Sequence, residues 1–242
     1  KVEVVLTRLD RLRDSNTAWS SVWRLLFKPW GNNSEDGWVA NPFSTDEVTL
    51  RSWMALLNFK ANHRKVVVAD AGEELFALVT SANPHDGSSA HSNVGIVFNG
   101  PAARAVLETE QAVLNFSGGK SPPLREMPIG PVLDLPDRVS NNTVRVQVLT
   151  EEAIADAAEA MIGAATAGDT LDLVMFYLAD RTIVHALKAA AHRGVAMRVV
   201  LDPNKDAFGR EKNGMPNRQV ARELIAAGVP VRWAVTRGEQ MH

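Results

Sequence analysis

Cysteine is absent from all 242 residues, which excludes a disulfide framework and a thiolate metal site and leaves the compartment open. No run of about 18 apolar residues occurs, so no helix is expected to span a bilayer. An excess of charge of one sign is also lacking. Lys and Arg total 26 against 28 Asp and Glu, a formal net charge of −2, and nothing resembles the electrostatic footprint of a protein that grips long nucleic acid. A nucleic-acid partner is therefore not expected, although a local basic pocket is compatible with these totals. A starting Met and a signal-peptide pattern are missing too. Lys1 leads straight into Val2-Glu3-Val4-Val5-Leu6, and His242 follows what reads as a loop, so a segment of a longer polypeptide is expected.

What is present is the composition of a folded protein, with 45% hydrophobic and 22% charged residues, enough for one large domain or two moderate ones. The most informative stretch is His63-Arg64-Lys65 at the mouth of the β-branched run Val66-Val67-Val68. On an extended strand, side chains two apart leave the same face, so an imidazole and an ammonium group stand side by side. That pair suits attack on a phosphate and neutralisation of its charge. Strands are expected over 61–69 and 75–81, joined at Asp70-Ala71-Gly72-Glu73 into a hairpin. By strand parity Asp70 faces away from His63 and Lys65 and reads as a turn or supporting residue. Ser81 and Asn83 share a face at the end of the second strand, where a hydroxyl and an amide could bind phosphate oxygens or hold the imidazole.

Around this stretch, residues 2–6 read as a buried strand and Arg8 to Asp14 as loop. Asn16-Thr17 is expected to cap a helix through Leu26, with Trp19, Val22, Trp23 and Leu26 on one face. Trp19, Trp23, Trp30 and Trp38 read either as a core-facing stripe with a packed lid or as an apolar rim that meets acyl chains or a membrane surface. Pro29 to Pro42 reads as a loop, and residues 45–57 as a short helix or an irregular approach to the key strand. A polar loop follows the hairpin, then a strand over 94–98 and a helix over 101–116 with Pro in its first turn. His85 and His91, in that loop, read as solvated.

Past residue 142 the pattern becomes strand, helix, strand, helix. Strands are expected over 144–149, 171–177 (buried), 195–201 and 229–234. Helices are expected from a Thr150 cap through Ala167, from an Asp180 cap through His192, and over 217–227, stopped by Gly168, Gly194 and Gly228. This alternation predicts βαβ units and a largely parallel sheet. His185 and His192 read as surface residues, Lys205, Arg210 and Lys212 as a solvated loop, and Asp202, at the carboxyl end of a strand, as part of a site's architecture.

Two stretches match each other. Glu3-Val4-Val5-Leu6-Thr7 reads like Arg198-Val199-Val200-Leu201-Asp202, and each is followed by loop, helix, loop and His, which makes His242 the counterpart of His63. With His63-x-Lys65-x4-Asp70, Thr80-Ser81-Ala82-Asn83, Ala190-Ala191-His192-Arg193-Gly194-Val195 and Val200-Leu201-Asp202-Pro203-Asn204, the chain resembles the phospholipase D superfamily in its bacterial cardiolipin-synthase-like branch. Thr80 stands where Gly is usual, and Val94-Gly95 follow Asn93 where the family often has an acidic residue.

The resemblance implies an α/β fold: a phospholipase D-like layered sandwich of mixed, mostly parallel sheets with helices on both faces, in two pseudo-twofold-related halves. Residues 1–119 would be an N-terminally incomplete first half, 120–142 a Pro-rich linker, and 143–242 a second half truncated at the start of its motif. It further implies a phosphodiesterase or phosphatidyltransferase acting on phospholipids. His63 would be the nucleophile, His242 the acid and base, and Lys65 and Asn83 the ligands of the non-bridging oxygens, with no cofactor and no metal. The implied partners are a phospholipid or other phosphodiester, a membrane surface touched peripherally, and the parent-chain segment bearing the second motif's Lys and Asp. Cytoplasmic, periplasmic and membrane-peripheral locations are equally compatible. Two other functions are weighed: a nuclease of the same superfamily, which needs a positive groove, and a non-catalytic scaffold with a decayed second motif.

Overall fold

A computed structural model describes residues 4–12, 17–27, 29, 37, 39–40, 47–50, 54, 62–72, 74–84, 88, 91–120, 145–203 and 216–235. Outside them lie His242, His85, Trp30, Trp38, Lys205, Arg210 and Lys212, the linker apart from Lys120, and most of the loop expected over 29–42. Two compact units divide the chain, one drawn from Lys1–Arg64 and Leu107–Glu126, the other from Lys65–Val106 and Met127–His242.

In the first unit, α1 (Thr17–Val22) runs into a π-helical turn over Trp23–Phe27 instead of continuing as an α-helix. Its expected apolar face is only partly covered. The Trp19 ring lies 5.9 Å from Phe27 and its indole N–H donates to the Met54 carbonyl at 3.0 Å. Val22 and Leu26 are exposed. Strands β1 (Val39–Ala40) and β2 (Glu47–Val48) pair antiparallel inside the regions expected to be irregular. The strand expected over 2–6 does not form at 4–6, where Val4 and Leu6 are exposed. Among the described residues no neighbouring strand takes their ladder bonds. The chain is instead tied to the end of a later helix, where the Arg8 N–H meets Ser117 Oγ at 3.4 Å and the Arg11 guanidinium donates to the Phe116 carbonyl at 2.9 Å. A short 3-10 turn occupies Leu9–Arg11 in the expected loop.

The second unit holds two three-stranded sheets. β3 (Val66–Ala71), β4 (Glu74–Thr80) and β5 (Gly95–Asn99) form an antiparallel meander, with Val68 opposite Ala77 and Ala77 opposite Phe98. α2 (Gly100–Phe116) follows β5 directly. Its Ala103 and Val106 are buried with Ala77 against Val66, Val68, Leu75, Phe98 and Val148. Val148 replaces an expected strand: residues 145–150 have none, and Val148 joins this apolar cluster.

β6 (Thr170–Met175), β7 (Ala196–Leu201) and β8 (Val231–Trp233) are parallel, in sequence order. α3 (Glu152–Ala164) precedes β6, and α4 (Arg181–His192) and α5 (Asn217–Ala226) supply the two crossovers. This is an α/β architecture with a parallel sheet, as expected of one half of the fold, whereas the meander is antiparallel. Val184, Leu187, Ala190, Val220 and Leu224 bury against Met197, Val199 and Leu201. Among the described residues these helices pack on one face of the sheet, not both. The reason lies in the strands, where Asp172 and Arg198 set charge on the other face and make β6 half-exposed rather than buried.

The helix boundaries follow local chemistry. Asp180 caps α4, its carboxylate accepting from the Ile183 N–H at 3.0 Å. Gly194 and Gly228, at φ of 87° and 83°, take the left-handed position that ends α4 and α5. Thr150 does not cap α3. Glu151 holds that position at φ 54° without a side-chain cap bond, and the helix stops at Ala164, three residues early. There the Asp169 carboxylate takes the Thr166 N–H and hydroxyl into a turn. In α3 and just past its end, Ile162 and Ala165 are buried while Ile154 and Met161 are exposed.

Candidate functional site

His63 lies in the irregular stretch 62–65 ahead of β3 and is exposed. Asn62 forms a turn around it, its side-chain oxygen accepting from the Arg64 N–H at 3.1 Å while its amide nitrogen donates to Thr7 Oγ1 at 3.1 Å. Arg64 is held by Glu110 at 2.9 Å and by the Thr109 hydroxyl at 2.6 Å. Both residues beside His63 are thus fixed by side chains of their own unit. Neither was singled out in the sequence, though an Asn near the start of an expected strand is a turn signal.

Within the second unit, Lys65 opens the meander, its carbonyl accepting from the Thr80 N–H at 3.0 Å one step before β3 begins. Asp70 pairs with Leu75 near the other end of β3, on the face carrying Val66 and Val68. Five residues of extended chain set it about 17 Å from Lys65. Ser81 adjoins Asn93: its hydroxyl donates to Asn93 Oδ1 at 3.2 Å and accepts from the Val94 N–H at 3.0 Å. Asn93 in turn donates to the carbonyls of Ser88 and His91 at 2.7 and 3.1 Å. The Asn83 N–H reaches the buried Ser88 Oγ at 2.9 Å. Ser81 and Asn83 therefore share one polar turn that Ser88 and Asn93 brace, and Ser88 carried no sequence signal.

At the carboxyl edge of the parallel sheet the organising residue is Asn217, which is fully buried. Its Oδ1 accepts from the Leu178 N–H at 2.8 Å, and its Nδ2 donates to the carbonyls of Phe176 and Asp202 at 2.7 and 2.9 Å. One donor and two acceptors around the amide allow only this orientation of its oxygen and nitrogen. Asp202, buried at the end of β7, donates its N–H to the Met175 carbonyl at 3.0 Å. Among the described residues no three His, Asp or Glu side chains could hold a metal ion, and no helix is long and apolar enough to cross a membrane.

The family model described as cardiolipin synthase, PLD-like domain, matches residues 159–242. That segment begins within α3 and contains the whole parallel sheet with its two crossovers. Residues 159–242 are a PLD-like domain of cardiolipin synthase type. No curated protein and no solved structure matches the chain significantly. The PLD-like domain belongs to a superfamily of phosphodiesterases and phosphatidyltransferases.

Ion pairs mark the outside of the PLD-like domain. The Arg181 guanidinium grips Glu223 with two bonds of 2.9 and 2.7 Å between α4 and α5, and this holds the Glu223 carboxyl below its usual range, with Lys188 and His185 adding to the effect. Arg198 likewise grips Asp172 across β6 and β7 and lowers its carboxyl, while bonds from Thr166 lower that of Asp169.

Proposed function

We propose that the chain is a phosphodiesterase or phosphatidyltransferase that acts on phospholipids through a phosphohistidine intermediate. The observation that carries this reading is a complete His63-x-Lys65-x4-Asp70 motif in the same chain as a PLD-like domain. In the first step the imidazole of His63 attacks phosphorus. A phosphorus–nitrogen bond forms, the bond to the leaving alkoxide breaks, and His242 gives that alkoxide its proton. In the second, His242 takes a proton from water or an alcohol, whose oxygen displaces His63 from phosphorus. Lys65 and Asn83 neutralise and orient the non-bridging oxygens, Ser81 braces the turn, and Asp70 supports β3 away from the reacting atoms. In this reading the meander and the parallel sheet belong to two pseudo-twofold-related halves. Peripheral contact with a bilayer is part of the same proposal, supported by exposed Leu25 and Leu26 close in sequence to Trp19 and Trp23.

The test is phosphatidyl transfer and head-group release from phosphatidylglycerol vesicles, measured for the chain and for His63→Ala. Turnover should fall at least about 10²-fold in the variant. Equal turnover in both would overturn the reading.

A further inference from the structure

We propose that Tyr177 is a substrate-contacting residue, its phenol donating a hydrogen bond to a phosphodiester oxygen while the paired rings of Phe176 and Tyr177 lie along the apolar part of the same molecule. Tyr177 is the chain's one tyrosine. It follows β6 at the carboxyl edge of the parallel sheet, where open α/β folds bind their ligands. Its backbone is held from both sides by a single group, for Asn217 receives the N–H of Leu178 and donates to the carbonyl of Phe176, and so brackets Tyr177 with two bonds from a fully buried amide. Its ring stands 4.2 Å from that of Phe176. Beyond it Leu178 turns into the core at 2% exposure, while Tyr177 stays partly exposed. A rigid backbone that presents an aromatic body with one hydroxyl suits an amphipathic phosphodiester better than it suits packing.

The phosphodiester class of ligand rests on the function proposed above, and two separate measurements keep the ideas apart. Replacing tyrosine by ring-fluorinated tyrosine during expression gives a single fluorine resonance, because the chain has one tyrosine. Titration with glycerophosphoglycerol should move that resonance along a saturating curve whose Kd matches calorimetry on the unlabelled chain. Tyr177→Phe, which keeps the ring, should weaken binding about ten- to a hundredfold, as expected for a lost hydrogen bond to a charged group. Undetectable binding, a stationary resonance at saturation, or unchanged affinity in Tyr177→Phe overturns the proposal. If turnover survives His63→Ala while the resonance still moves, phosphohistidine chemistry fails and the Tyr177 contact stands. If turnover needs His63 and the resonance is stationary, the reverse holds.

Discussion

At the scale of single residues, Asn217 has the largest structural consequence for its size. Substitution by Ala would strand the Leu178 N–H and the carbonyls of Phe176 and Asp202 in a place without water, since Asn217 has no exposed surface. An orphaned buried group costs about 1–3 kcal/mol, so Asn217→Ala should lose about 3–5 kcal/mol of stability. Asn217→Asp keeps the acceptor for Leu178 but turns a carboxylate oxygen toward two carbonyls, and should be no better. Urea unfolding of the chain and both variants checks this, and a change within about 0.5 kcal/mol, the size of an ordinary surface substitution, would show that the clasp is dispensable. Nothing in the sequence pointed to this role. An Asn before an amphipathic run reads as a cap, and only the fold reveals that its amide faces two strand ends.

At the scale of elements, legibility followed how locally each element is determined. α4 was readable from end to end because Asp180 caps it, its apolar period is regular and Gly194 stops it. The hairpin of β3 and β4 was readable from its β-branched run and the turn signal after it, but the strand begins at Val66, since Asn62 ties the backbone around His63 into a turn. The faces of the parallel sheet were not readable, because Val174 and Val200 look like core in sequence and lie on the side that also carries Asp172 and Arg198. That face has a consequence in acid. Asp172 and Glu223 are held below their ordinary values by Arg198 and Arg181, so their stabilising contribution is complete above the ordinary carboxylate pKa and is lost as pH falls through the lower, folded value. Unfolding midpoints should therefore drop below about pH 4. Asp172→Asn should unfold more easily than the parent chain at neutral pH, and the gap should close in acid. A constant gap would mean that the carboxylate does not titrate with unfolding. The pair is exposed, so the gap should be small.

At the scale of the whole molecule, residues 159–242 were the readable part, because alternating strands and helices joined by capped turns are specified locally. The N-terminal stretch was less so: residues 4–6 have strand composition but no strand partner among the described residues, and what holds the segment is the end of α2, about a hundred residues away in sequence. The matched pair of sequence segments therefore does not extend to matched strands, since 4–6 is irregular and its counterpart is β7. The chemical asymmetry argued from the same match still makes a definite prediction. A nucleophile and an acid–base group fail differently when removed. In the mechanism proposed above, no covalent intermediate forms without His63. Without His242 a substrate whose leaving group needs no proton can still phosphorylate His63, but water attacks the adduct without a base. Incubating His242→Ala with a nitrophenyl phosphodiester, quenching in alkali and mapping the adduct by mass spectrometry should place the phosphoryl group, still carrying its remaining ester, on His63, at higher occupancy than in the parent chain. His63→Ala under the same conditions should carry none. An adduct on His242 in the His63→Ala chain would reverse the two roles.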